Sequence, residues 1–223
     1  MTALLIYSGG MDSTVLLYEQ RDNIKLCVSF NYGSKHNDRE YEFAKRNTAR
    51  LGIEHLQLDI KDIIGKHFKS DLLQSGGDIP DGHYEDTTMQ RTVVPFRNGI
   101  MLAFAVGLAE SRGLNTVLIA NHSGDHAIYP DCRLDFIQAM SKAAGFGTYN
   151  QTQISGPYTH ISKRDIALRG RDLGVSFADT WSCYKGGEIH CGSCGTCFER
   201  REALSGFDPT QYLATPHFEK PAM

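Results

Sequence analysis

Hydrophobic positions along the chain fall into short runs separated by longer stretches of mixed polarity, the rhythm of strands alternating with helices. Residues 3–7 (ALLIY) predict a buried strand, and residues 13–19 (STVLLYE) open a helix directly behind it. Residues 25–31 (KLCVSFN) predict a second strand, followed by a charged helix over 38–51 that stops at Gly52. A third strand is expected over 55–59. Residues 75–90 are rich in Gly, Asp and Thr without an apolar period, and a loop of that length is usually functional; a lid over the site is one expected use. Asn98 is placed to cap an apolar helix over 99–111 that ends at Gly113. Residues 116–120 (TVLIA) predict a fourth strand, 134–144 a helix and 153–155 a short fifth strand. Ser162 then caps a helix across 163–173. The pattern predicts an α/β fold with a Rossmann-like open parallel five-stranded sheet.

Length and composition narrow this picture. The 223 residues suit one sizeable domain. The expected division is residues 1–180 as an α/β domain and 181–223 as a small C-terminal segment packed on it, a single compact domain overall. With 41% hydrophobic and 22% charged residues the chain is globular rather than disordered. The longest apolar run, 99–109, is about half of the ~20 residues a membrane span requires. The first residues lack a basic start and a cleavage-type segment, so a cytoplasmic protein with no membrane partner is expected. A formal charge of −3 argues against a broad nucleic-acid surface.

Six cysteines change the picture more. Cys183, Cys191, Cys194 and Cys197 cluster near the C-terminus, apart from Cys27 and Cys132. Two overlapping C-x2-C steps let three thiolates converge from one tight knuckle, with Gly192 and Gly195 permitting the turns. Cys183 adds a fourth ligand across the Lys185-Gly186-Gly187 excursion. Four thiolates make a closed tetrahedral site, the chemistry of structural zinc; an iron–sulfur cluster and unligated thiols are the alternatives. His190 stands beside a ligand set that is already complete.

The strongest local signal is Ser8-Gly9-Gly10-Met11-Asp12-Ser13, between the first strand and the first helix. Glycines allow a tight turn and close approach of a ligand, and the helix N-terminus offers unpaired N–H groups to a phosphate. A plain strand-to-helix turn capped by Asp12 and Ser13 is the simpler alternative. The chain contains neither G-x-x-x-x-G-K-[ST] nor G-x-G-x-x-G, which excludes a Walker-type NTPase and a dinucleotide fold. Further clusters are Tyr32-Gly33-Ser34-Lys35-His36, Val94-Pro95-Phe96-Arg97-Asn98, Asn121-His122-Ser123 and Tyr129-Pro130-Asp131-Cys132-Arg133. Ser8, Asn31-Tyr32 and Asn121-His122 all follow expected strand ends, where open α/β sheets place ligands.

The S-G-G-x-D-S loop resembles the pyrophosphate loop of the ATP pyrophosphatase superfamily. Together with Y-G-x-[RK]-H, V-P-x-R-N, Y-P-D-C-R and C-x7-C-x2-C-x2-C in this order, it resembles the 7-cyano-7-deazaguanine synthase family over about residues 3–200. Two departures stand out. Ser34-Lys35 replaces the more usual Gln-Arg, which leaves the role of Lys35 open, and Asn121-His122-Ser123 differs from the commoner residues, which leaves His122 unassigned.

The resemblance implies a carbon–nitrogen ligase that converts 7-carboxy-7-deazaguanine, ammonia and ATP to the nitrile through an adenylated acid and an adenylated amide, in queuosine biosynthesis. It implies ATP as cosubstrate with Mg²⁺, one structural zinc per chain, a homodimer and no stable nucleic-acid partner. Tyr7, Ser8, Gly9, Gly10, Met11, Asp12, Ser13, Thr14 and Lys163 are expected to bind ATP. Arg97 is expected to meet a carboxylate or phosphate, Asp131 the donor edge of the ring, and Arg133 the substrate carboxylate. Each of these has a structural alternative: a surface Arg at a helix start, an ion pair, or a solvated lysine. Cys132 reads as a packed thiol rather than a covalent participant. A tRNA thiolation enzyme, which shares the loop, and a non-catalytic nucleotide-binding module held by zinc are the rival functions.

Overall fold

In a computed structural model that describes residues 2–83 and 87–217, β1 (Ala3–Ile6), β2 (Ile24–Asn31), β3 (Glu54–Asp59), β4 (Thr116–Leu118) and β5 (Gln153–Ser155) form one sheet. Their order is β3-β2-β1-β4-β5 and every pairing is parallel. The expected α/β fold and its five strands are therefore present. From β1 the chain builds outward to β2 and β3, then returns to lay β4 on the opposite side of β1. That reversal opens a crevice at the carboxyl ends of β1 and β4.

Strand alternation sorts side chains to the two faces. Leu4, Leu26 and Val28 join Met101, Leu102 and Ala105 of α4 (Arg97–Ser111) in one core. Ala3, Leu5 and Tyr7 join Val15, Leu16 and Leu17 of α1 (Met11–Glu19) and Ile166 of α6 (Lys163–Asp172) in the other. The sheet is thus covered on both faces, as a parallel sheet requires.

Helix ends follow their capping chemistry. The helix α2 (Asn37–Leu51) stops at Gly52, which takes φ 66°. Ser162 caps α6, its hydroxyl accepting the Asp165 N–H at 3.2 Å. By contrast, Asn98 is not the cap of α4. The helix begins at Arg97 behind Phe96 at φ 56°, and the Asn98 N–H is satisfied by the Asp131 carboxylate at 2.8 Å. A carboxylate from a distant loop has taken the role expected of a local side chain.

Three helical features exceed the sequence expectation. The short α3 (Lys61–His67) follows β3, α5 (Leu134–Gly147) runs past residue 144, and α7 (Gly195–Ala203) grows out of the cysteine cluster. Gly192 does adopt a left-handed φ of 79°, whereas Gly195 is the first helical residue of α7.

The lid expected over 75–90 falls partly on residues 84–86, which lie outside the described residues. The described part before it docks on the cysteine knuckle: Gly82 N–H donates to Ser193 O at 3.1 Å, and Asp81 pairs with Lys185 at 2.5 Å. The part after it is a 3-10 turn over Thr87–Thr92 whose Met89 packs with Ile128, Tyr129 and Cys132.

Buried histidines make this fold sensitive to acid. Burial holds His36 down to about 3, helped by Arg97 and Lys35, and burial with Lys45 holds His55 down to about 4. The unfolded chain, with ordinary values near 6.5, therefore binds more protons between the folded and unfolded values. These residues contribute stability that is complete above about pH 6.5 and declines as pH falls toward 3. Urea midpoints measured at pH 7 and pH 5 should differ, with the lower value at pH 5 and a smaller difference in His55→Gln. Equal midpoints would contradict this assignment.

Candidate functional site

The turn after β1 presents a helix N-terminus to open space. Gly10 precedes α1 and no side chain caps it, so first-turn N–H groups point out with their partial positive charge. Gly9 adopts φ 81°, and a Cβ there would meet Glu40 O at 2.5 Å and Ala44 N at 2.7 Å. Only glycine lets the turn lie against α2. Ser8 Oγ accepts the Gly10 N–H at 3.1 Å and lies 3.2 Å from Ser13 Oγ. Behind the turn, Tyr7 OH and Thr14 Oγ1 are 3.0 Å apart, and Thr14 Oγ1 donates to Gly10 O at 2.8 Å. Met11 is buried in the core. Ser8, Gly10, Asp12 and Ser13 thus line the crevice, while Gly9, Met11 and Thr14 hold the turn's shape.

A buried ionic chain closes one wall. Lys163 Nζ lies 3.2 Å from Asp12 Oδ2, 2.7 Å from Glu199 Oε2 and 3.5 Å from His122 Nε2. Burial works against its charge, but Asp12, Glu199 and Asp125 outweigh burial and push its pKa upward. His122 accepts the Gly124 N–H through Nδ1, at 3.1 Å, and its own N–H is held by Asp125 at 3.0 Å. The other Asp12 oxygen, Oδ1, is buried without a hydrogen-bond partner among the described residues.

The crevice continues as a cavity of about 210 Å³, lined at its far end by Tyr32, His36, Glu40, Arg97, Tyr129 and Tyr184. Arg97 Nη1 donates to Tyr32 OH at 3.2 Å, and its guanidinium lies 5.6 Å from the Tyr32 ring centre and 5.9 Å from that of Tyr129. Tyr129 OH is 3.2 Å from Tyr184 OH and 3.1 Å from Thr92 Oγ1. Burial opposes the Arg97 charge, but Tyr32, Tyr184, Tyr129 and Asp131 together hold it.

Two residues expected to touch substrate make structural contacts in this structure. Asp131 caps α4, as described above. Arg133 is exposed, donates to His126 O at 3.1 Å and does not line the cavity. Both belong to the turn that anchors α4 and α5, so the direction of their side chains is set by helix ends rather than by the cavity. Cys132 is packed, accepts from Asn98 Nδ2 at 3.1 Å, and burial pushes its thiol up, away from a nucleophile. Lys35 also leaves the cavity. Its ammonium donates to the carbonyls of Asp71, Leu73 and Gly77 at 2.6–2.8 Å, fixing the segment that follows α3.

The sulfurs of Cys183, Cys191, Cys194 and Cys197 lie within 4.8 Å of one another, and those of Cys191 and Cys197 are 3.8 Å apart. A tetrahedral ion with bonds of about 2.3 Å would space its sulfurs by about 3.8 Å. Backbone N–H groups of Ser193 and Cys194 donate to Cys191 Sγ at 3.4 and 3.3 Å, and that of Cys191 to Cys183 Sγ at 3.4 Å. Such donors stabilise thiolate charge. The donor set fits a metal ion.

Residues 2–208 match the family described as queuosine biosynthesis protein QueC. The chain belongs to the QueC family. Three relatives bearing the name 7-cyano-7-deazaguanine synthase show how closely it follows that family. The protein of Porphyromonas gingivalis is 60% identical over 213 residues, 94% of this chain and 96% of its own. That of Desulfotalea psychrophila is 50% identical, with 95% and 98% covered, and that of Ruegeria pomeroyi 46%, with 100% and 99% covered. Among solved structures, NMN synthetase from Francisella tularensis superposes with a TM-score of 0.48 at 12% identity, over 82% of this chain and 67% of that one. Membership makes the chain an enzyme of queuosine biosynthesis. No helix among the described residues is long and apolar enough to cross a membrane.

Within this QueC chain, two cavity-lining residues, Glu40 and Tyr184, and the Lys163 partner Glu199 escaped the sequence reading. Glu40 lies just past the Tyr32–His36 cluster, Tyr184 lies inside the cysteine spacing, where the ligands mask it, and Glu199 is hidden in the helix that begins within the cysteine motif. One local signal pointed to Glu40: its i,i+4 spacing from His36 on a single helix face.

Glu199 gives a direct test of the ionic wall. Glu199→Gln keeps the shape but removes one of two charges around a buried ammonium, and is expected to cost about 1–3 kcal/mol of folding stability. Urea denaturation checks this, and unchanged stability would mean that Lys163 does not rely on Glu199.

Proposed function

We propose that this enzyme converts 7-carboxy-7-deazaguanine, ammonia and ATP into 7-cyano-7-deazaguanine, as a carbon–nitrogen ligase. The observation that carries the reading is the uncapped start of α1, with the unpartnered Asp12 Oδ1 beside it, opening into the same cavity as Arg97. The first half suits a polyphosphate and the second a planar anion.

In this reading Ser8, Gly9, Gly10 and Ser13 cradle the pyrophosphate portion of ATP, with Tyr7, Met11 and Thr14 behind them and Lys163 at the side. A carboxylate oxygen of the substrate attacks the α-phosphorus and pyrophosphate leaves. Ammonia adds to the acyl carbon and AMP departs, giving the amide. The amide oxygen then attacks the α-phosphorus of a second ATP, pyrophosphate leaves again, and loss of AMP with the nitrogen-bound protons forms the C≡N bond. The turn's N–H groups serve both steps because charge develops on the same leaving group. Arg97 pairs with the carboxylate in a bidentate fork. Asp12 Oδ1 is the protein ligand offered to Mg²⁺, which supplies charge neutralisation on the phosphates when bound. Free ammonia is the nitrogen donor.

The four cysteines hold one zinc with a structural role, since the ligand set is closed. The chain works as a single compact domain, with 181–223 packed on 1–180, as a cytoplasmic homodimer that needs no nucleic acid.

Two measurements test this reading. With ATP, ammonia and the carboxy-deazaguanine, the enzyme should release two AMP and two pyrophosphate per nitrile. Asp12→Ala should abolish turnover while leaving the far-ultraviolet circular dichroism spectrum unchanged. ADP and inorganic phosphate as products would overturn the adenylation scheme. Metal analysis should find about one zinc per chain, and a strong chelator should lower the melting temperature and expose 183–203 to protease. A metal-free protein with the same melting temperature would remove the zinc.

A further inference from the structure

Most polar side chains around the cavity already have protein partners. Asn37 Oδ1 accepts the N–H groups of Tyr32 and Ser34, and its amide donates to Phe30 O. Ser29 Oγ donates to Tyr7 O, and Asn121 Nδ2 donates to Cys132 O and Thr159 Oγ1. Glu40 is different. It lines the cavity with its side chain 19% exposed, its carboxyl makes no side-chain hydrogen bond among the described residues, and His36 Nε2 lies 3.6 Å away, beyond hydrogen-bond reach. The His36 ring cannot turn to serve it freely, because it stacks on Tyr184 with ring centres 5.1 Å apart. The other charged or titratable groups around this end are Arg97 at the start of α4, Tyr32 after β2, Tyr129 before the Pro130 turn and Tyr184 beyond Cys183.

We propose that Glu40 is the specificity-determining residue for the substrate base, its carboxylate accepting two hydrogen bonds from the ring N1–H and the 2-amino group of the deazaguanine. This rests on the proposed function above and names how that substrate is told from other purines. An ionised carboxylate is acceptor-only, so it matches an edge with two adjacent donors. An adenine-type edge presents one donor and one acceptor, and meets a repelling lone pair at one position. The reader thus excludes the adenine ring of the cosubstrate from the substrate's place.

The state of Glu40 in the empty cavity agrees with this role. Burial raises it to about 8, with Arg97 opposing, so near neutral pH it is mostly protonated. Arrival of two donors supplies the bonds that favour the anion. Binding of the base therefore expels a proton to solvent.

The test uses Glu40→Gln, which copies the neutral acid of the empty cavity and should fold with an unchanged melting temperature. Its amide offers one acceptor oxygen to the base's two donors and sets its own NH2 against the other, so KM for the deazaguanine should rise about 10- to 100-fold while KM for ATP stays the same. Calorimetry of base binding at pH 7 in buffers of different ionisation enthalpy should show proton release for the wild type and none for the variant. An analogue lacking the 2-amino group should be rejected by the wild type and tolerated nearly as well as the natural base by Glu40→Gln. An unchanged KM for the base, or a rise confined to ATP, overturns the assignment of Glu40. A wild type that makes no nitrile, by contrast, overturns the reaction itself.

Discussion

A lysine ammonium buried between two carboxylates ties the crevice together. Lys163 stands at the first turn of α6, Asp12 at the first turn of α1, and Glu199 in α7, and none of the three is near another in sequence. Removing such charges from water is costly, and the cost is recovered only if each keeps its partner at close range. At 3.2 and 2.7 Å both partners do. The consequence is geometric as much as energetic: shifting α6 or α7 by even an ångström strands a buried charge, so the helices fix where the Asp12 carboxylate sits.

The same helix secures the turn by a second route. Arg200, adjacent to Glu199, is fully buried. Its guanidinium donates to Phe177 O, Thr180 Oγ1, Ser182 Oγ and Thr210 Oγ1 at 2.6–3.0 Å. That fixes the passage over 177–182, a 3-10 turn over Phe177–Asp179 and the residues after it, whose Trp181 N–H donates to Gly9 O at 3.1 Å. The Trp181 ring lies between Phe43 of α2 and His190 of the knuckle. Tyr184, one residue past Cys183, then enters the cavity wall. A segment too small to hold a core of its own thus governs both ends of the site, which is why its four clustered cysteines matter to the chemistry although none of them lines the cavity.

What the sequence made legible was local. Strands, the glycine turn and the cysteine spacing each depend on residues close together, so periodicity and turn chemistry expose them. The helix α3 carries Gly65 and spans seven residues, too few for a period to stand out. The helix α7 shares its first residues with the cysteine motif, which drew attention away from Glu199 and Arg200. The Y-P-D-C-R cluster signals family membership, yet Asp131 serves a helix end 33 residues away, a pairing only the fold creates. Glu40 has meaning only once β1, α2 and α4 converge.

The far end of the cavity shows why tertiary placement decides chemistry. Arg97 is surrounded by phenols and a neutral imidazole, and no carboxylate forms an ion pair with it among the described residues. Three tyrosines offer polarisable faces and hydroxyls that soften its desolvation without neutralising it. His36 stays uncharged beside it because burial and Arg97 both disfavour a second cation. Glu40, the one carboxyl within electrostatic reach on α2, is raised by burial and so fails to cancel the guanidinium near neutral pH. A protein that wanted only stability would place an ionised partner here. Retaining an unpaired cation opposite a protonated acid leaves the cavity short of one negative charge and two hydrogen-bond donors. A planar anion with a guanine-type edge supplies both at once.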